Sequence, residues 1–182
     1  MVDKIPPQNI DAEQSLLGAM MLSKDAIARI VGKVKAHYFY KQAHAQIFQA
    51  VIDLYRKNEP VDLITVSAEL KKNDKLAESG GRAYLAEVVD SVPTAANAEK
   101  YADLVSEKAL LRQLIDAGSH IIGDAFDETQ EVDHVLELAQ KKIGDISKER
   151  VGDDFVKLDE VLKTVFENIQ STYDTDEKIL GI

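Results

Sequence analysis

Apolar residues recur at helical spacing along nearly the whole chain. Leu16, Leu17, Met20 and Met21 share a face of a first helix, and Ile27, Ile30 and Val31 share a face of a second that starts at Ser23 or Lys24. Ala43, Ile47, Ala50, Val51 and Leu54 predict a third helix over about residues 41–57. Leu63, Val66 and Leu70 predict a short fourth, and Tyr84, Leu85, Val88 and Val89 a fifth. Strand-like alternation is nearly absent, so the predicted fold class is all-α.

Turn chemistry divides these segments. Pro6-Pro7 is a rigid lead-in to the first helix, where Asp11 is expected as N-cap with Gln14 three residues on as its capping-box partner. Pro60 breaks the chain and Asp62 caps the fourth helix. Gly80-Gly81 turns into the fifth, which Pro93 ends. His37-Tyr38-Phe39-Tyr40 is expected to plug the core. Residues 1–96 thus read as a compact helical globule.

Beyond it the pattern lengthens. Two helices, expected over about residues 97–124 and 130–149, flank the polar turn Asp127-Glu128-Thr129 and make an αα-hairpin, with 97–150 as its bounds. The second helix carries one heptad-like seam of Val132, Leu136, Ala139, Ile143 and Ile146. The first carries two, Leu111-Ile115-Gly118-Ile122 and Leu110-Leu114-Ala117-Ile121. One seam suffices for the partner helix. The other either folds back on the globule or meets another molecule. Glycine at 118 costs about 1 kcal/mol against alanine inside a helix but permits close backbone approach. Self-association or partner docking is the sharper of the two readings.

Residues 150–156 read as a polar linker. Phe155, Leu158, Leu162, Val165 and Ile169 then step 3-4-3-4 along an amphipathic helix expected over residues 157–172. A tethered helix of this kind fills a groove in another domain or chain. Residues 151–182 form a third segment, read as cut off before a further domain.

Charge narrows the function. The net charge is −10, with 8 acidic against 3 basic residues in the last 32 and 24 against 19 in the first 150. That balance lacks the cationic footprint of a duplex-DNA binder, so weak or no direct DNA binding is expected and proteins are the expected partners. There is no cysteine, hence no disulfide framework and no thiolate metal site. No apolar run reaches a membrane span.

Candidate chemistry yields near-misses. Gly118 and Gly123 have phosphate-loop spacing, but Asp124-Ala125 follow where Lys and Ser or Thr are required. Asp124, Asp127, Glu128, Glu131 and Asp133 imitate a calcium loop without its turn glycine or closing glutamate. None of His37, His44, His120 and His134 pairs as metal-ligand spacing requires, His44 reads as a core or surface histidine, and Ser119-His120 is expected to lack a nearby carboxylate orienter in sequence, so that only the fold could assemble a triad there. Residues 63–75 with the Gly80-Gly81 turn faintly suggest a helix-turn-helix, but the second helix offers only Arg82 as a cation. No catalytic, cofactor or metal residue is assigned.

Four stretches carry a family resemblance: Ile5-Pro6-Pro7-Gln8-Asn9-Ile10-Asp11-Ala12-Glu13-Gln14, Glu59-Pro60-Val61-Asp62, Gly80-Gly81 with Tyr84-Leu85, and Val92-Pro93-Thr94-Ala95-Ala96-Asn97. In this order and spacing they cover roughly residues 5–115 and resemble the amino-terminal domain of bacterial replicative DNA helicases of the DnaB family. The resemblance implies a non-catalytic domain whose hairpins pair, three pairs forming a collar above a hexamer of RecA-like motors. It implies that the collar recruits primase through the primase's carboxy-terminal domain, that a helicase loader is a further candidate partner, and that the linker helix docks on a neighbouring motor through Phe155, Leu158, Leu162, Val165 and Ile169. ATP and Mg are implied for the full-length enzyme only, in a cytoplasmic, nucleoid-associated setting. Positions matching the family pattern for primase contact are Asp11, Tyr84, Ile115 and Ile121. The residues expected to pair the hairpins in self-association, Leu111, Gly118, Ile122, Val132 and Leu136, follow from the same resemblance rather than from the seams. The competing reading is a stand-alone helical adaptor or helicase regulator with no motor.

Overall fold

The computed structural model describes residues 5–127 and 129–151, the side chains through Lys148. Every regular element among them is helical: α1 Ile10–Leu22, α2 Lys24–Ile30, α3 Gln42–Arg56, α4 Leu63–Lys72, α5 Gly81–Asp90, α6 Ala98–Phe126 and α7 Val132–Val151, with 3₁₀ turns at Ala36–Tyr38 and Ala95–Asn97. Residues through Ser147 form one compact unit and a second begins at Lys148, described as far as the last turn of α7. Phe155, Leu158, Leu162, Val165 and Ile169, and the helix expected to carry them, lie outside the described residues.

α1 is the axle of the globule. It buries residues on every side, Ala12, Glu13, Leu16, Leu17, Gly18, Ala19, Met20 and Met21, and packs on α2, α3, α5 and α6. A helix apolar all round belongs at the centre of a bundle. Ile27 and Ile30 of α2, Ile47, Phe48 and Val51 of α3, and Leu85 and Val88 of α5 close around it, and Val66 and Leu70 of α4 join the same core through α3 and α5. The aromatic plug is half as large as expected: Tyr38 and Phe39 are buried, whereas His37 and Tyr40 are exposed.

The caps follow local chemistry, with one correction. α1 is capped by Asn9, not Asp11: the Asn9 side chain accepts from the N–H of Ala12 at 3.0 Å. Asp11 falls inside the first turn, exposed, and Gln14 makes no capping box but donates to the Glu87 carbonyl at 3.5 Å. Asn9 fits better because α1 starts one residue before Asp11 and an N-cap must precede the first helical residue. Ser23 caps α2. Asp62 caps α4 in a full capping box with Thr65. Gly80 enters α5 with φ +87°, a left-handed conformation that suits glycine.

α6 begins inside the globule. Ala98, Ala102, Val105 and Ala109 form its buried stripe, and small side chains there let α1 and α2 lie close. Its carboxy-terminal half carries little buried surface. The Asp127 carboxylate accepts from the backbone and hydroxyl of Thr129 at 3.1 and 2.6 Å and from Gln130 at 3.0 Å, turning the chain into α7. Lys142 on α7 meets Asp124 on α6 at 2.9 Å, tying the two arms. α7 continues through Val151, beyond the expected start of the polar linker.

Candidate protein-interaction surface

The hairpin leaves a run of large apolar side chains in solvent. Ile115 is 55% exposed, Ile122 60%, Phe126 82%, Val132 74% and Leu136 55%. Leu111, Leu114 and Ile143 are exposed as well. Of the two seams on α6, the one through Leu110, Ala117 and Ile121 is the more covered, and the one through Leu111, Ile115 and Ile122 is open. The expected α7 seam is covered only in part: Val132, Leu136 and Ile143 are exposed, whereas Ala139 and Ile146 of the same seam, with Val135 and Leu138 beside it, are half-buried.

All five expected self-association residues thus sit at least partly in solvent: Leu111, Ile122, Val132 and Leu136 are exposed and Gly118 is half-buried. Nothing lies within 4 Å of a Cβ built on Gly118, so packing among the described residues does not require glycine there. An apolar face of this extent marks an interface more often than a solvated helix.

The four expected partner-docking residues are dispersed. Asp11 is exposed on the first turn of α1, Ile115 is exposed on α6, and Ile121 is half-buried, more covered than the periodicity implied. Tyr84 is half-buried on α5, with its hydroxyl turned inward.

What it turns towards is a buried polar chain that sequence reading missed. Glu13 and His44 are 2% and 0% exposed. His44 Nδ1 donates to Glu13 Oε2 at 2.7 Å, and His44 Nε2 lies 2.5 Å from the Tyr84 hydroxyl. With Nδ1 donating to the carboxylate, Nε2 of a neutral imidazole is left to accept from Tyr84. The other Glu13 oxygen accepts from the Tyr40 N–H at 2.6 Å. α3 has no side-chain cap of its own, so Glu13 supplies, from α1, the anion that a helix amino terminus favours. The chain has the order of a catalytic triad, but Glu13 and His44 are sealed from solvent and the Tyr84 hydroxyl turns inward towards them, away from where a substrate would stand. Glu13 and His44 lie 31 positions apart, and the one hint in the sequence is that each stands alone as a polar residue on the apolar stripe of its helix.

Arg112 was also missed. Its guanidinium donates to the Pro7 carbonyl at 2.7 Å and to the Tyr38 carbonyl, and stands 5.7 Å from the centre of the Tyr40 ring. It locks the proline lead-in and the Tyr38 turn onto α6. On the hairpin, His120 Nε2 lies 3.6 Å from Asp116 Oδ2, one helical turn away, an orienting carboxylate not read from the sequence. Both groups are well exposed, which makes the pair a surface contact of little strength.

The region suggestive of a helix-turn-helix holds a groove of about 690 Å³ between α4 and α5, lined by Ile64, Ala68, Lys71, Leu76 and Arg82 among others. Its floor is apolar and its cations are two, a poor match for a DNA backbone. Among the described residues there is no cluster of three or more potential metal ligands, and no helix is long and apolar enough to cross a membrane.

Comparison with known proteins gives this arrangement a lineage. The chain is 42% identical over 168 residues to the replicative DNA helicase DnaB of Mycobacterium leprae, covering 91% of this chain and 28% of that protein. It spans less than half the length of the curated relatives it matches. Its fold matches the crystal structure of the N-terminal domain of DnaB helicase from Mycobacterium tuberculosis with a TM-score of 0.74 and 44% identity, over 78% of this chain and 99% of that one. It also matches a DnaB-like replicative helicase, solved in a study of its interactions with primase, with a TM-score of 0.64 and 26% identity, over 90% of this chain and 35% of that one. The family model described as the DnaB-like helicase N terminal domain matches residues 5–107, from the proline lead-in into the buried stripe of α6, and the chain belongs to that family.

Proposed function

We propose that this chain is the non-catalytic amino-terminal collar domain of a replicative DNA helicase, which self-associates through its hairpin and docks primase at the fork. The observation that carries the reading is the open apolar seam of Leu111, Ile115, Ile122, Val132 and Leu136 in a chain of this family. Hairpins pair through Leu111, Gly118, Ile122, Val132 and Leu136, and three pairs close a hexameric ring. Primase, through its carboxy-terminal domain, contacts Asp11, Tyr84, Ile115 and Ile121. Exposure of Asp11 and Ile115 supports their part in this, while Ile121 and Tyr84 contribute through the portions left uncovered.

ATP and Mg belong in this reading to a RecA-like motor domain. Residues 1–182 contain no Gly-x-x-x-x-Gly-Lys-Ser/Thr loop to hold a nucleotide's phosphates. The linker residues Phe155, Leu158, Leu162, Val165 and Ile169 dock on a neighbouring motor, a loader is a further partner, and the setting is the bacterial cytoplasm.

The test is a calorimetric titration of the 182-residue chain with the carboxy-terminal domain of primase from the same organism. Saturable binding that weakens at least tenfold in Ile115→Ala and Tyr84→Ala, both still folded, is the expected result. Absence of heat at about 100 μM, where even a weak single-site contact registers, would remove primase docking by the isolated domain from the proposal.

A further inference from the structure

Glu13 is a carboxylate sealed inside the globule that steadies two surface features at once. Through Oε1 and Oε2 it accepts the backbone N–H groups of Tyr40 and Lys41, at 2.6 and 3.4 Å. Through His44 it reaches the hydroxyl of Tyr84. Lys41 and Tyr84 then meet at the surface, the ammonium 5.7 Å from the centre of the ring. Lys41 is exposed, and among the described residues its ammonium has no carboxylate partner, unlike Lys33, Lys57, Lys75 and Lys142. One turn earlier, at the amino-terminal cap of α5, Gly80 leaves room for the side chain: a Cβ there would come within 2.7 Å of Tyr84.

We propose that Lys41 and Tyr84 form a docking platform for an acidic side chain of the primase domain proposed above as partner, and that Glu13 and His44 are its positioning residues. The inference rests on the reading of Tyr84 as a primase contact and adds three residues to it. An unpaired ammonium held over a half-exposed aromatic face offers a charge-assisted hydrogen bond to a carboxylate and an apolar surface to its methylene stem. In a chain of net charge −10, a lone cation of this kind selects an acidic group against its surroundings. Because the ring hydroxyl and the Lys41 backbone are both tied to one buried carboxylate, the platform is ordered before the partner arrives, which lowers the entropy lost on binding.

The same titration, run on the intact chain with the primase carboxy-terminal domain, separates the possibilities. Lys41→Glu is a surface change and should fold normally; it should weaken binding at least tenfold and flatten its salt dependence. Tyr84→Phe and His44→Phe should each weaken it several-fold, and the double variant should be no weaker than the worse single one, because His44 acts through the hydroxyl. Additive losses would make His44 a stability residue only and overturn its positioning role; His44→Gln serves if the phenylalanine variant does not fold. Unchanged affinity in Lys41→Glu overturns the platform. If Tyr84→Ala and Lys41→Glu bind normally while Ile115→Ala does not, the platform falls and primase docking stands. If all three bind normally, both fall.

Discussion

Gly18 of α1 lies so close to Val88 of α5 that a Cβ built on it would stand 2.4 Å from the Val88 carbonyl oxygen. Two helix backbones meet there without an intervening side chain. Gly18→Ala should gain up to about 1 kcal/mol of helix propensity and still destabilise the protein by about 1–3 kcal/mol through overpacking against a backbone that cannot yield. Urea unfolding monitored by circular dichroism checks the sign; a more stable variant would mean that α1 and α5 separate at little cost.

Arg112 bridges two carbonyls from segments far apart in sequence, Pro7 and Tyr38. A lysine ammonium is a point donor on a flexible stem and cannot span both. Arg112→Lys should cost about 2 kcal/mol, the scale of hydrogen bonds to a charged group. It should also release the residues before α1 to limited proteolysis sooner than the rest of the chain unfolds. Equal protease resistance in both proteins would argue against the clamp.

Asp62 gives a pH signature. Its carboxylate accepts from the Thr65 and Ile64 N–H groups and from the Thr65 hydroxyl, and donation by Thr65 leads in holding its pKa below the ordinary carboxylate value. A depressed folded pKa means stability that is fully present above the ordinary value near pH 4 and is lost as the pH falls through the lower folded value. Asp62→Ala should cost about 1 kcal/mol at pH 7. Asp62→Asn keeps a capping side chain without a titrating group, so any advantage of the native protein over it should shrink as the pH falls from 5 to about 2.5. A pH-independent difference between the two would show that charge plays no part in this cap.

Ile122 and Leu136 are exposed in the single chain, so aspartate at either position removes little packing. Ile122→Asp and Leu136→Asp should leave thermal stability of the monomer within about 0.5 kcal/mol yet abolish self-association in sedimentation at concentrations where the native chain dimerises. A native chain that stays monomeric at every concentration tested would assign the apolar seam to a different partner.

Much of this architecture was legible in advance because it depends on contacts near in sequence. Helical periodicity located all seven helices, Asp62 announced the cap of α4 without its partner Thr65, and Gly80-Gly81 announced the turn into α5. The shift of the α1 cap from Asp11 to Asn9 was a short-range ambiguity, since both residues cap well and only the first helical residue decides between them. The four family stretches likewise lie in continuous sequence, so the family was readable before the fold.

What the tertiary structure alone decided involves residues far apart in sequence. Which α6 seam is covered depends on where the globule and α7 come to lie, and periodicity cannot rank two adjacent seams on one helix. Glu13, His44 and Tyr84 stand on three helices; Glu13 and His44 each interrupt the apolar stripe of their own helix, beside Leu16, Leu17 and Met20 and beside Ile47, Phe48 and Val51, but they form a chain only because α1, α3 and α5 converge. Arg112 reads as a solvated cation on α6 until folding brings two carbonyls to it. The amino-acid sequence by itself determined the all-α class, the approximate places of the helices and the family, because periodicity and turn signals are local. Burial of polar groups and the choice of exposed face came only with the fold, because both depend on what each helix meets when the chain closes on itself.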